Sequence, residues 1–166
     1  MKVEILAASL EDKPLIQRMM ELYLYDFSAF DHSDLDAHGC FGYPYLDHYW
    51  VEEGRHPFLV RVDGKLAGFV LVNQQTRLPG NEWSVAEFFI LRKYRRRGIG
   101  KRVAQFIFDQ FRGKWEVAEI DSNSDARSFW KAAIGEYTGG TYEEVVLEDE
   151  RWKGPVQFFD NTIGYT

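Results

Sequence analysis

The segment Arg95–Lys101 holds two glycines and four cations at the point where an apolar run ends and a helical pattern begins. The run before it, 85–91, is rich in aromatic and branched residues and is interrupted only by Glu87, so it is typical of a buried strand. The apolar residues that follow recur at helical spacing: Ile99, Val103, Phe106, Ile107 and Phe111. We therefore predict a strand-to-helix turn, where unpaired amides and the helix dipole favour an anion such as phosphate.

Spacing excludes two common phosphate-binding loops. A P-loop requires a glycine five residues before Gly100 and a serine or threonine after the lysine, but the chain has Arg95 and Arg102 there. A dinucleotide-binding loop that begins at Gly98 requires a glycine or alanine at the position of Val103. The pattern that remains is Arg-x-x-Gly-x-Gly after a strand.

This pattern resembles the Gln/Arg-x-x-Gly-x-Gly/Ala signature of the GNAT family of N-acetyltransferases. A second segment, 123–131, is similar to that family's Asn-x-x-Ala-x-x-Phe-Tyr motif and follows one further predicted strand, 115–120. Two motifs in the family's order make the resemblance specific over 84–135, and elsewhere it is one of general layout.

One position departs from the family motif. The chain carries Trp130 where many family members have a tyrosine that protonates the leaving thiolate. An indole N–H is too weak an acid for that role. The resemblance therefore leaves the proton donor unassigned.

The resemblance implies a mixed α/β fold with a mainly antiparallel central sheet flanked by helices, in a single domain over residues 1–166. The hydrophobic patterns agree with it, in the order strand, one or two helices, three strands, helix, strand, helix and two strands. An Asp-Gly pair at 63–64 predicts a hairpin. We expect 26–45 to be irregular, and the helix that begins near Asn123 to end at Gly135.

By the same resemblance the donor substrate is acetyl-CoA. Its pyrophosphate is expected on the amides of 97–101, and its pantetheine arm along the strand at 88–90, within reach of Asn123. The residues expected to hold it are Phe89, Ile90, Arg95, Arg96, Arg97, Gly98, Ile99, Gly100, Lys101, Asn123, Phe129 and Trp130.

Transfer to an amine requires a base, because most primary amines are protonated at neutral pH. Glu87 is the candidate base, since it is the sole ionisable group of an apolar strand and desolvation raises a carboxyl pKa. The alternative is a structural carboxylate paired with an arginine. Weaker candidates for the base are Asp26, Glu82 and Asp121. Tyr45 is the candidate general acid, with Tyr49 as an alternative.

The function predicted from these residues is acetyl-CoA-dependent acetylation of a primary amine by direct attack in a ternary complex. The amine belongs to a small molecule, a peptide N-terminus or a lysine. The alternative, favoured by Trp130, is a non-catalytic CoA-binding regulatory module of the same fold.

Composition limits the partners. The chain of 166 residues has a net charge of −6, which argues against nucleic-acid binding. It has no apolar run long enough for a membrane span and one cysteine, so we expect a cytoplasmic protein without a membrane partner. A homodimer is possible. No metal is expected, because no tight ligand pair is formed by His32, His38, Cys40, His48 and His56.

Overall fold

A computed structural model describes residues 1–163; the last three residues of the predicted domain, 164–166, lie outside the described part. Seven strands form one sheet in the order β1-β2-β3-β4-β5-β7-β6. The strands are β1 Val3–Ala7, β2 His56–Val62, β3 Lys65–Asn73, β4 Trp83–Ile90, β5 Lys114–Ala118, β6 Glu143–Asp149 and β7 Trp152–Asp160. All neighbouring strands are antiparallel except β4 and β5. The predicted mixed, mainly antiparallel α/β fold is confirmed.

Three α-helices and three short 3-10 helices join the strands. They are α1 Lys13–Asp31, α2 Ile99–Gln110 and α3 Ser124–Thr138, with 3-10 turns at Leu10–Asp12, Leu46–Trp50 and Arg92–Tyr94. The predicted order of elements is confirmed, and so is the hairpin, whose Asp63 and Gly64 have φ of 50° and 79°.

Helices cover both faces of the sheet. One face packs against α1 through Ile16, Met19 and Met20, which contact the β3 residues Phe69 and Leu71. The other face packs against α2 and α3 around a second set of apolar residues: Val70, Val72, Val103, Ile107, Trp130 and Ile134. Most of the periodic apolar residues of the sequence therefore form the two layers of the core. Phe106, which the helical spacing placed on the apolar face of α2, is 37% exposed instead.

Two predicted boundaries are wrong. The irregular region predicted from residue 26 begins after Asp31 instead, because Phe27 continues the helical spacing of aromatic residues, with its ring 5.5 Å from Tyr23 and 6.2 Å from Phe30. α3 does not end at Gly135 but continues to Thr138, and Gly139 adopts the left-handed conformation at φ 62°. A glycine near a helix end is a stop only where the backbone takes that conformation.

Strand β4 is irregular in two ways. Val72 pairs with Val85 and Leu71 with Glu87, so Ala86 is an extra residue in a β-bulge. β4 also pairs with β5 at only two positions, of which the last is Ser84. The strands therefore diverge, and the rest of β4 has an open edge toward β5.

The buried carboxylate of Glu116 on β5 holds the loop between β3 and β4. Glu116 is 0% exposed and accepts hydrogen bonds from the backbone N–H groups of Arg77 at 2.8 Å and Leu78 at 3.0 Å. The Asn81 amide donates a third hydrogen bond at 3.1 Å. One side chain thus satisfies three donors in a loop that lines a cavity described below.

Glu116→Gln is therefore expected to lower the free energy of unfolding by about 1.5–3 kcal/mol, because it replaces a charged acceptor with an amide whose NH₂ faces other donors. Urea unfolding measures the loss. Glu143→Gln, on an exposed residue of β6, is the control and should unfold like the wild type. Equal stability of the Glu116 variant would contradict this role.

Candidate active site

The turn before α2 presents a row of unpaired amides. Gly98 is the N-cap of α2 and has φ 76°, and Arg96 also has a positive φ of 60°. Within residues 1–163, the backbone N–H groups of 96–101 donate to no protein acceptor. Together with the helix dipole they form a site for an anion.

The same turn lies against the start of α3. A Cβ on Gly100 would be 3.0 Å from Cε1 of Phe129, so the glycine permits this close packing. The Phe129 ring contacts Phe88 of β4 at 5.6 Å and Trp130 at 5.0 Å between centroids. The structure thus brings four predicted donor-site positions together beside the open edge of β4: Phe88, Gly100, Phe129 and Trp130.

Trp130 is a core residue. It is 6% exposed, and its ring meets that of Phe88 at 4.8 Å in an edge-to-face contact. The replacement of the family's tyrosine therefore fills the space under the open edge with an apolar ring.

The cations of the turn divide into two groups. Arg95 donates from Nε to the Ile90 carbonyl at 2.7 Å and from a terminal nitrogen to Asp26 at 3.0 Å. Lys101 pairs with Glu136 at 2.9 Å. Arg96 and Arg97 are exposed and have no acidic partner among the described residues. Arg95 therefore links the turn to β4 and α1, whereas Arg96 and Arg97 remain available to a phosphate.

Asn123 begins α3. Its Oδ1 accepts a hydrogen bond from the Ala126 N–H at 3.1 Å, which makes it the N-cap. Its side-chain NH₂ has no acceptor in the described part of the chain. Asn123 therefore has donors left for a ligand that lies along the diverging strands.

The open edge of β4 also presents backbone donors. Leu91 N–H donates to the Ala67 carbonyl of the neighbouring strand at 2.8 Å. Because hydrogen bonding alternates along an antiparallel strand, the N–H groups of Phe88 and Ile90 point the other way, toward the gap left by β5. An extended ligand chain can pair with this edge as an added strand.

Glu87 lines a cavity of about 340 Å³ on the α1 side of the sheet. Burial raises the pKa of its carboxyl to about 7, while the nearby hydroxyls of Tyr23 and Tyr43 and the guanidinium of Arg77 lower it. The carboxyl therefore titrates near neutrality, as a general base must. Among residues 1–163, Glu87 forms no direct ion pair. The structural alternative, a carboxylate paired with an arginine, therefore has only the longer-range influence of Arg77 in its favour.

Two tyrosines beside Glu87 were missed as candidates for a catalytic role. Tyr23 of α1 packs its ring between Phe69 and Phe89, both at 5.9 Å, and its hydroxyl interacts with Glu87 and with the Phe88 backbone. Burial is the main cause that raises the pKa of Tyr23. Tyr43 lies in the irregular segment, where no sequence pattern signals its position.

The other predicted catalytic residues lie elsewhere or at the rim. Tyr45 lines the Glu87 cavity but is 55% exposed, and Tyr49 is buried and accepts from the Asn73 amide at 3.1 Å. Asp26 is engaged by Arg92 and Arg95. Glu82 and Asp121 are exposed, and neither lines this cavity. Among the predicted bases, the structure brings only Glu87 into the cavity.

The described residues contain neither a group of metal ligands nor a helix that could span a membrane. Across positions 1–163, no three His, Cys, Asp or Glu side chains are grouped as ligands for a metal ion. Over the same residues, every helix is too short or too polar to span a membrane.

Known proteins resemble this chain in sequence pattern and in fold. Residues 16–135 match the model of the acetyltransferase (GNAT) family. An acetyltransferase from Thermus thermophilus is 15% identical with a TM-score of 0.69, and the match covers 96% of this chain and 97% of that one. A GNAT acetyltransferase from Staphylococcus aureus is 14% identical with a TM-score of 0.64, covering 96% and 99%.

A third solved structure contains ligands. The spermidine N-acetyltransferase of Vibrio cholerae, in complex with CoA and spermine, is 11% identical with a TM-score of 0.64, and the match covers 96% of both chains. At these identities the structures show a shared fold. A search of curated sequences found no significant match.

Proposed function

The chain belongs to the GNAT family of acetyltransferases, which use acetyl-CoA, and we propose that it transfers an acetyl group from acetyl-CoA to a primary amine by direct attack in a ternary complex. The observation that carries the proposal is the placement of Glu87. It lies on β4 between a cavity and the open strand edge that leads to the unpaired amides of 96–101.

The residues present fit the donor. Unpaired amides and the free guanidinium groups of Arg96 and Arg97 suit the pyrophosphate, and the edge at Phe88 and Ile90 suits an extended amide-containing arm. The side-chain NH₂ of Asn123 is free to donate a hydrogen bond to the same arm. When bound, acetyl-CoA supplies an activated acetyl thioester.

The reaction balances with groups of this cavity. The amine nitrogen forms a bond to the acetyl carbon, the carbon–sulfur bond breaks, and the thiol of CoA leaves. The Glu87 carboxylate takes the proton that the amine loses, and its pKa of about 7 suits this exchange at neutral pH. The Ile90 N–H is a candidate hydrogen-bond donor to the carbonyl oxygen.

The leaving sulfur requires a proton, which Trp130 is unsuited to donate. Tyr23 is better placed than the predicted Tyr45, because its hydroxyl neighbours both Glu87 and the Phe88 backbone at the open edge. Burial raises the Tyr23 pKa, which opposes donation, but the neighbouring Glu87 carboxyl holds the proton taken from the amine and replaces the one that Tyr23 gives to the sulfur. We assign the proton return to Tyr23.

Two measurements test the proposal. Calorimetry with acetyl-CoA at low salt should show binding, and its absence would overturn the donor site. Release of free thiol across a panel of primary amines should then show turnover. Binding without turnover would favour the alternative, a CoA-binding regulatory module.

Our further expectations on organisation and partners stand as proposals. They are a single domain over 1–166, a cytoplasmic location, no metal, nucleic-acid or membrane partner, and a possible homodimer. Size-exclusion chromatography with light scattering distinguishes monomer from dimer.

A further inference from the structure

The Glu87 cavity also holds two guanidinium groups, and they differ in how their charge is matched. Arg55 donates from Nε to Glu52 at 2.7 Å and lies over the Tyr49 ring at 5.4 Å. Arg55 is thus neutralised by a neighbour within the chain. Arg77 has no such close partner.

The Arg77 guanidinium is held in place but keeps its donors free. It lies over the Trp152 ring at 4.1 Å, which fixes its plane. Its nearest acidic atom is an oxygen of Glu116 at 3.9 Å, and that carboxylate already accepts three other hydrogen bonds. Within residues 1–163 the Arg77 guanidinium donates no hydrogen bond.

A buried hydroxyl in the same cavity also lacks a partner. Ser84 is 1% exposed, and its Oγ has no hydrogen-bond partner in the described chain. It lines the cavity together with Arg77 and Glu87. A buried polar atom without a partner is unfavourable unless a ligand or water satisfies it.

Resting on the proposed function, we propose that the acceptor is a primary amine that also carries an anionic oxygen group, a carboxylate or a phosphate. The anion binds the fork of Arg77 and the hydroxyl of Ser84, and the amine faces Glu87. A guanidinium matches both anions because its donors are parallel. Acceptors with positive charges alone, such as polyamines, would meet the Arg77 guanidinium without an anion to offer it.

Matched amines test this acceptor class in the wild type. The first arm pairs ω-amino acids of increasing chain length with the alkylamines that lack the carboxylate. The second pairs O-phosphoethanolamine with ethanolamine. We expect kcat/KM to favour the anionic member of at least one arm by roughly tenfold or more, and the favoured arm identifies the anion.

Variants locate the site. Arg77→Gln should reduce the ratio of kcat/KM for anionic over neutral amines by roughly 10- to 100-fold, mainly through KM, and Arg77→Lys should lie between. Ser84→Ala should reduce the same ratio by a smaller factor. Arg61→Gln, an arginine on β2 that does not line the cavity, is the control and should keep the wild-type ratio.

A binding experiment separates this inference from the proposed function. Ligand-observed NMR with 4-aminobutyrate and O-phosphoethanolamine, in the presence of CoA, should show binding that Arg77→Gln removes. Binding of these probes without any acetyl transfer would overturn the proposed function and leave the anion site standing. Transfer to neutral amines without anionic preference, or probe binding unchanged in Arg77→Gln, would overturn the inference.

Discussion

Gly98→Val is expected to abolish acetyl-CoA binding while the protein remains folded. Gly98 caps α2 at φ 76°, a conformation that a β-branched residue adopts only with strain. Apart from its chain neighbours, no atom of the described residues lies within 4 Å of where its Cβ would be, so the new side chain would enter open space beside the unpaired amides. We expect calorimetry to show an affinity at least roughly 100-fold weaker, or about 2.7 kcal/mol.

Gly80→Val is the matched control. Gly80 has φ 86° and open space around its Cβ position, but it precedes the opposite end of β4. The control therefore introduces a similar backbone strain away from the turn, and its acetyl-CoA affinity should equal that of the wild type. Thermal unfolding monitored by circular dichroism should show comparable losses in both variants. Normal binding by the Gly98 variant would exclude this turn as the pyrophosphate site.

Glu87→Gln is expected to lower kcat by roughly 10²- to 10⁴-fold, the range typical of a lost general base. The wild-type rate should rise with pH through about 7, because only the deprotonated carboxylate accepts the amine's proton. The variant has no carboxyl to titrate, so this limb of the profile should disappear. Steady-state rates across pH, with acetyl-CoA saturating, provide the measurement.

Glu87→Gln should lower the rate but should not lower the free energy of unfolding at neutral pH. The folded-state pKa of Glu87 is raised by burial, so the unfolded chain loses its proton at lower pH than the folded one. Stability therefore falls as the pH rises from the ordinary carboxyl range to about 7, and Glu87→Gln removes this loss. Urea unfolding above pH ~7 should find the variant at least as stable as the wild type.

Glu82→Gln is the control for the loss of rate. Glu82 is a weaker candidate on the sequence, is exposed and does not line the cavity, so its variant should keep the wild-type profile. A wild-type rate in the Glu87 variant would show that another group, or water, deprotonates the amine.

The proposed donor side of the site could be predicted because its residues are local in sequence. The glycine spacing after an apolar strand specifies a βα turn, and Gly98 adopts the positive φ that this turn requires. The resemblance added Phe129 and Asn123, which the fold places beside that turn and at the start of α3. Boundaries were less predictable, as the longer α1 and α3 show, because packing on the sheet extends helices past polar residues.

The proposed acceptor side could not be predicted, because its residues come from distant segments. Arg77, Ser84 and Tyr43 meet only after the β3–β4 loop is anchored by Glu116 and the irregular segment folds back over β4. No periodicity or motif marks them. Tyr23 lies in a stretch of the sequence rich in aromatic residues, 23–27, but its position beside Glu87 depends on how α1 lies across the sheet.

The sequence by itself determined the order of elements, the strand-to-helix turn and the single carboxylate in an apolar strand, since each follows from local periodicity and residue type. Only the tertiary structure decided what that carboxylate faces. Desolvation, which brings the pKa of Glu87 to about 7, and the position of the Arg77 guanidinium over Trp152 both depend on long-range packing. Local chemistry therefore specifies the proposed donor turn, and the assembled sheet specifies the proposed acceptor cavity.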